Sequence, residues 1–158
     1  MRIGQSTDIH PLVENRKLIL GGVYIPYHLG CLGHSDADVL LHVIIEACIG
    51  AMGLGDIGTH FPDNDQTYKD ISSMVLLAKT KALLQEHQYE VCNIDSLIML
   101  EQPKLAPYIQ QMKDNVAQTL GIDPQQVNIK ATTAEKLGFI GRLEGIQAQA
   151  VVLIKRNI

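Results

Sequence analysis

Strand-like runs and longer apolar runs at helical spacing divide the chain. Strands are expected over residues 2–10, 17–20, 23–25, 91–100, 127–132 and 146–155, with Gly21-Gly22 turning the second into the third as a hairpin. Helices are expected over residues 35–52, 71–87 and 107–120, the last closed by Gly121, the residue type favoured just past a helix end. Strands and helices in this mixed order, without repeat or linker, predict one α+β domain over residues 1–158, a mixed β-sheet with helices packed on one face. The last strand opens Ile146-Gln147-Ala148-Gln149-Ala150, small and amide residues where a half-buried strand carries larger apolar ones. Its second face is expected to meet another subunit.

Composition narrows the class. The chain has 158 residues, 46% of them hydrophobic and 19% charged, which excludes a disordered chain or a long coiled coil. A domain of this length buries roughly 70% of its unfolded surface, so its stability needs neither disulfide nor structural metal. Thirteen Lys and Arg against seventeen Asp and Glu give a net charge of −4, without a basic run, and a nucleic-acid partner is not expected. Cys31, Cys48 and Cys92 are odd in number and lack the two-residue spacing of zinc or redox pairs, which points to a reducing cytoplasm. Residues 1–5 have no signal-peptide layout. The apolar run over residues 39–54 is broken by His42 and Glu46 and is shorter than the ~20 residues of a membrane span, so it reads as a buried helix.

That helix carries the chemistry. Ser35 followed by Asp38 before an apolar run has the form of a capping box and predicts a helix start at Ser35. Asp38, His42 and Glu46 then fall at four-residue steps, a polar stripe on an otherwise apolar helix. Asp8 and His10 lie two apart on a strand and share a face. Asp8, His10 and His42 together make three nitrogen and oxygen ligands, leaving a fourth tetrahedral position open, the arrangement of a catalytic zinc site. Asp38 and Glu46, one turn to either side of His42, are expected to support those ligands from behind. A buried histidine salt-bridged to Glu46 is the plainer alternative for the stripe alone. Free N–H groups at the helix start would attract phosphate beside His34 and Ser35. The loop over residues 53–65 is rich in Gly and Asp and long enough to be functional. It lacks the ligand offsets of a calcium loop, and Asp65 reads as a turn residue.

The segments Asp8-Ile9-His10, Gly21 to Pro26, His34 to Asp38, Gly53 to Asp65, Pro103-Lys104, and Lys130 to Phe139 with Gly141-Arg142 resemble, in order, the 2-C-methyl-D-erythritol 2,4-cyclodiphosphate synthase family. The resemblance implies a homotrimer with sheets facing the threefold axis and active sites between neighbouring subunits. It implies a cytidine diphosphate-linked substrate whose 2-phosphate attacks its own β-phosphate and expels CMP. Asp8, His10 and His42 would hold zinc, and Glu135 a second divalent ion, magnesium or manganese. His34 and Thr133 would be the catalytic residues, with Ser35 on the phosphates, Asp56 and Gly58 on sugar hydroxyls and Asp63 on the erythritol part. Leu100, Pro103, Lys104 and Leu105 would enclose cytosine, and Thr132 would meet the cytidine phosphates. Ile57, Phe61, Phe139 and Arg142 complete the expected substrate contacts. Two stretches depart from the family: Gln5-Ser6-Thr7 stands where a Gly and an aromatic residue are common, and Leu143 where Gly is frequent.

A phosphate nucleophile is already ionised near neutral pH, so no Ser-His-Asp or Cys-His pair is needed to activate it. Two other classes fit part of the pattern. A zinc phosphohydrolase would use Asp8, His10 and His42 but has no role for Lys104, Thr132 or Thr133. A trimeric scaffold with structural zinc would need a fourth protein ligand.

Overall fold

A computed structural model describes residues 1–157. β1 (Arg2–Val13) enters the sheet at once and pairs antiparallel with the last and central strand, β7 (Gly145–Arg156), from Arg2 opposite Ile154 to Pro11 opposite Gly145. The short β4 (Gly30–Cys31) closes one edge against Leu12 and Val13. On the other side of β7 lie β5 (Tyr89–Met99), antiparallel, and β6 (Val127–Thr132), parallel to β5, giving the order β4-β1-β7-β5-β6. β2 (Leu18–Leu20) and β3 (Val23–Ile25) form the expected hairpin. Both of its turn residues, Gly21 and Gly22, have positive φ, the conformation of a tight two-residue turn.

All the longer helices lie on one face. α1 (Val39–Met52) crosses β1 and β7, α3 (Ser73–Glu86) packs on α1, and α4 (Ile109–Leu120) packs on α3. The close approach of α1 explains the small residues of β7. A Cβ at Gly4 would lie 1.8 Å from the Ala47 carbonyl oxygen, and Ser6 and Ala150, an opposed pair, are buried under the same helix. The small residues Ala148 and Ala150 therefore face inward as seats for α1, while Gln147 and Gln149 alternate to the bare face. Ile3, Ile9 and Val151 stand exposed on that face, at 71%, 51% and 49%.

The start of α1 differs from expectation. Ala37 has φ of 57° and breaks the helical path, so the capping residue is Asp38, whose side chain accepts from the Leu41 N–H. Ser35 Oγ instead accepts from the Ala37 N–H in a local turn. Pro107 sits in a separate 3-10 turn, Ala106–Tyr108, ahead of α4, and Gly121 caps α4 in the left-handed conformation as expected. Two single-turn helices, α2 (Ile57–His60) and α5 (Gly138–Gly141), and β4 were not legible in the sequence. Cys31, Cys48 and Cys92 are free thiols, and burial pushes Cys31 and Cys48 up to about 12. Among the described residues, no helix is long and apolar enough to cross a membrane.

Candidate active site

Alternation along β1 turns Asp8 and His10 toward the helix face, where the first turn of α1 delivers His42. Oδ2 of Asp8 lies 2.9 Å from His10 Nε2 and 3.4 Å from His42 Nδ1, and the three ligand atoms fall within 4.8 Å of one another. The other nitrogen of each ring is engaged: His10 Nδ1 donates to the Leu32 carbonyl at 2.8 Å, and His42 Nε2 lies 3.1 Å from Ser35 Oγ and 3.0 Å from Ser73 Oγ. Burial alone would raise the Asp8 carboxyl, but the hydrogen bond from His10 and the nearness of the His42 ring outweigh it and hold the group well below the usual carboxylate range. Burial draws the His10 imidazole down, yet the bonds to Asp8 and Leu32 carry it above its usual 6.5. Two imidazoles and an ionised carboxylate, each ring fixed from behind, fit a divalent cation with a borderline preference for nitrogen, such as zinc.

These ligands open into a cavity of about 320 Å³ that also takes in His34, Ser35, Ile57, Gly58, Phe61 and Asp63. His34 Nε2 is hydrogen-bonded to the Asp65 carbonyl oxygen at 3.2 Å, and Asp65 itself caps a 3-10 turn, as expected of a turn residue. Arg16 braces the loop behind the site, its guanidinium donating to the carbonyls of Cys31, Gly33 and Ser35 at 3.0–3.2 Å.

Several expected contributors lie elsewhere. Asp38 does not support the metal ligands from behind: fully buried, it accepts from the N–H groups of Gly21, Gly22 and Leu41 and ties the hairpin turn to α1. Glu46 lines the cavity but bonds to Ser6 Oγ at 2.5 Å and reaches the Ile57 N–H at 3.5 Å instead of His42, so it anchors the start of α2. Asp56 caps α2, with its carboxylate on the Thr59 N–H and hydroxyl, and stands outside the cavity lining.

A second cavity, about 270 Å³, brings together Leu100, Pro103, Lys104, Leu105, Thr132 and Thr133 where β5 and β6 end. Glu101, which the sequence reading passed over, shapes its wall by accepting from the N–H groups of Ala134 and Lys136 across a turn in which Glu135 and Lys136 both have positive φ. The Glu135 side chain lies on the exposed rim of this turn. Phe139 and Arg142 line neither cavity: the Phe139 ring lies over Gly145, and Arg142 forms a two-pronged pair with Glu144 at 3.1 and 3.0 Å. Ser73 and Asp36 also escaped the sequence reading, because a serine at a helix start signals only a cap.

The fold and site define a class, an α+β protein with a sheet covered on one face by helices and an Asp-His-His group able to hold a metal at the edge of a cavity. The family model described as YgbB matches residues 1–155, and the chain belongs to the YgbB family. It is 58% identical over 156 residues to 2-C-methyl-D-erythritol 2,4-cyclodiphosphate synthase of Geobacillus sp. (strain WCH70), covering 99% of each chain. It superposes on the bifunctional IspDF of Campylobacter jejuni with a TM-score of 0.94 at 44% identity, where 99% of this chain spans 42% of that one. IspF of Plasmodium falciparum, solved as a CDP complex, matches with a TM-score of 0.86 at 34% identity over 99% of this chain and 97% of that one.

Proposed function

We propose that the chain is a metal-dependent cyclodiphosphate synthase of non-mevalonate isoprenoid biosynthesis. It converts 4-diphosphocytidyl-2-C-methyl-D-erythritol 2-phosphate into 2-C-methyl-D-erythritol 2,4-cyclodiphosphate and CMP. The observation that carries this reading is the pairing of a metal-ligand cavity at Asp8, His10 and His42 with a separate base-sized cavity at Pro103 and Lys104. The relatives bear the same activity in their names, and a structural neighbour was solved with CDP.

Anion attacks anion in this reaction, so charge must be neutralised where it gathers. A zinc ion held by Asp8, His10 and His42, with magnesium or manganese near Glu135, supplies Lewis acidity to the phosphates when bound. His34 and Ser35 stand beside the first cavity to bind phosphate oxygens, and Asp63 faces the erythritol hydroxyls. Ile57, Gly58 and Phe61 wall that cavity and limit water, which would otherwise hydrolyse the substrate. Leu100, Pro103, Lys104 and Leu105 hold the base, while Thr132 and Thr133 orient the departing CMP. Holding a tethered nucleophile in line contributes an effective molarity of order 10⁵ M or more.

The two cavities sit on different flanks of one chain. β7 and β5 separate β1 from β6, three strand spacings or about 14 Å. A homotrimer joins them between neighbours, and the bare face with Ile3, Ile9 and Val151 supports packing around a threefold axis. Free thiols suit a cytoplasmic enzyme. Incubation with the cytidine substrate followed by phosphorus NMR tests the proposal. Cyclic diphosphate with CMP is expected, whereas simple hydrolysis products would make the protein a phosphohydrolase and sink the reading.

A further inference from the structure

We infer that Ser73 and Asp36 are positioning residues that fix the tautomer of His42, so that its Nδ1 lone pair faces Asp8 and His10. The inference builds on the metal-site reading above and concerns residues to which that reading gives no role.

Asp36 accepts twice from one residue, from the Ser73 N–H at 3.0 Å and from the Ser73 hydroxyl at 2.5 Å. An ionised carboxylate can only accept, so the Ser73 hydroxyl hydrogen is committed to it. Ser73 Oγ, fully buried and 3.0 Å from His42 Nε2, can then only accept from that ring. Nε2 must therefore carry the hydrogen, and the neutral ring keeps its lone pair on Nδ1, the nitrogen 3.4 Å from Asp8. Ser35 gives no such direction. Its Oγ accepts from the Ala37 N–H and lies 3.1 Å from Nε2, and its own hydrogen is free to point at the ring. Left alone with Ser35, His42 could carry its hydrogen on Nδ1, drawn there by the ionised Asp8 carboxylate at 3.4 Å, and that hydrogen would oppose a cation; the Ser73–Asp36 pair is what holds it on Nε2 instead. The orientation is inherited from three elements: the loop before α1 supplies Asp36, α3 supplies Ser73 and α1 supplies His42. His10 is fixed independently, by the Leu32 carbonyl, which can only accept.

The test reads the imidazole nitrogens of the metal-free protein by long-range proton–nitrogen NMR at mildly alkaline pH, with zinc affinity measured separately by chelator competition. Wild-type His42 is expected to be the Nε2–H tautomer. Ser73→Ala should shift it wholly or partly to Nδ1–H, leave the His10 signals in place, and weaken zinc binding roughly 10- to 100-fold. Ser73→Thr, which retains the hydroxyl, should preserve the wild-type tautomer. Loss of packing alone would not exchange the two nitrogens. An Nδ1–H tautomer in the wild type, or no change in Ser73→Ala, would overturn the inference, and the wild-type spectrum decides it even if a variant fails to fold. A wild-type protein that shows the Nε2–H tautomer yet binds no zinc supports the relay and instead removes the metal-dependent reading of the function.

Discussion

His10 shares a proton with Asp8 in the metal-free protein, and that proton must leave before a cation can use Nε2. Because the His10 value is raised above 6.5, the pair's contribution to folding is fully present below about pH 6.5 and is lost as pH rises through the folded value. Metal binding has the opposite sign: it is weak while the proton is held and strengthens until the proton is gone. Zinc affinity should thus fall about tenfold per pH unit below the raised His10 value, as chelator competition across pH would show; a flat profile would contradict a His10 ligand. Leu143 poses a conformational question. Its φ of 61° lies in the left-handed region, which costs a residue with a Cβ about 1–2 kcal/mol. Leu143→Gly relieves that cost but adds roughly 0.5–1 kcal/mol of unfolded-chain entropy. A net gain of up to about 1.5 kcal/mol is expected in denaturant unfolding, and a loss would show that side-chain contacts of Leu143 outweigh the backbone.

Among the elements, the seating of α1 on β1 holds the site together, since it sets His42 against Asp8 and His10. The seat depends on Gly4. An added Cβ would meet the Ala47 backbone carbonyl at 1.8 Å, where no flexible side chain can swing aside, and neither element can yield without moving the other. Gly4→Ala should therefore destabilise by about 1–3 kcal/mol or more, seen as a lowered thermal midpoint, and should weaken zinc binding as His42 shifts. An unchanged midpoint would mean that α1 can slide freely on the sheet. Asp38 is the matching tie at the start of α1, satisfying two hairpin N–H groups and one helical N–H with a single carboxylate. Burial and the nearby Asp36 charge push it up to about 6 despite those bonds, which is the cost of a tie made by a charged group in the core.

At the scale of the whole molecule, the proposed trimer predicts complementation. His42→Ala damages the metal cavity, and a double variant at Thr132 and Thr133 damages the other. If a neighbour's cavity completes each site, mixing the two inactive proteins under subunit exchange should restore a fraction of the activity, because some interfaces then pair intact halves. No recovery with exchange proven by mass spectrometry would mean that each site is built within one chain. His42→Ala alone should lose zinc yet remain folded, since the hydrophobic core from Leu12 to Ile154 takes in none of the three ligands and a domain of this length needs no structural metal for stability.

Much of this was legible in the sequence because it depends on local chemistry. Alternation set which way Asp8 and His10 point, helical spacing placed His42 on the face of an apolar helix, and paired glycines marked the β2–β3 turn. Helices ended by glycine are likewise decided within a few residues, whereas the partner and direction of each strand are not, since Arg2 at the start of β1 pairs with Ile154 near the end of β7. The departures came from contacts that bridge distant segments. Ser35 has the form of a helix cap, but only the folded chain puts Asp38 beside the Gly21-Gly22 turn and gives it the cap instead. Glu46 lies one turn from His42, yet Ser6, forty positions away, claims its carboxylate. Ser73 and Asp36 carry no signal of their own, and the burial that commits one hydroxyl hydrogen to one carboxylate exists only after α3 has packed on α1. Local rules depend on neighbours fixed by covalent distance, so the sequence contains them; which polar group satisfies which is settled by the packing that removes water, and that belongs to the tertiary structure.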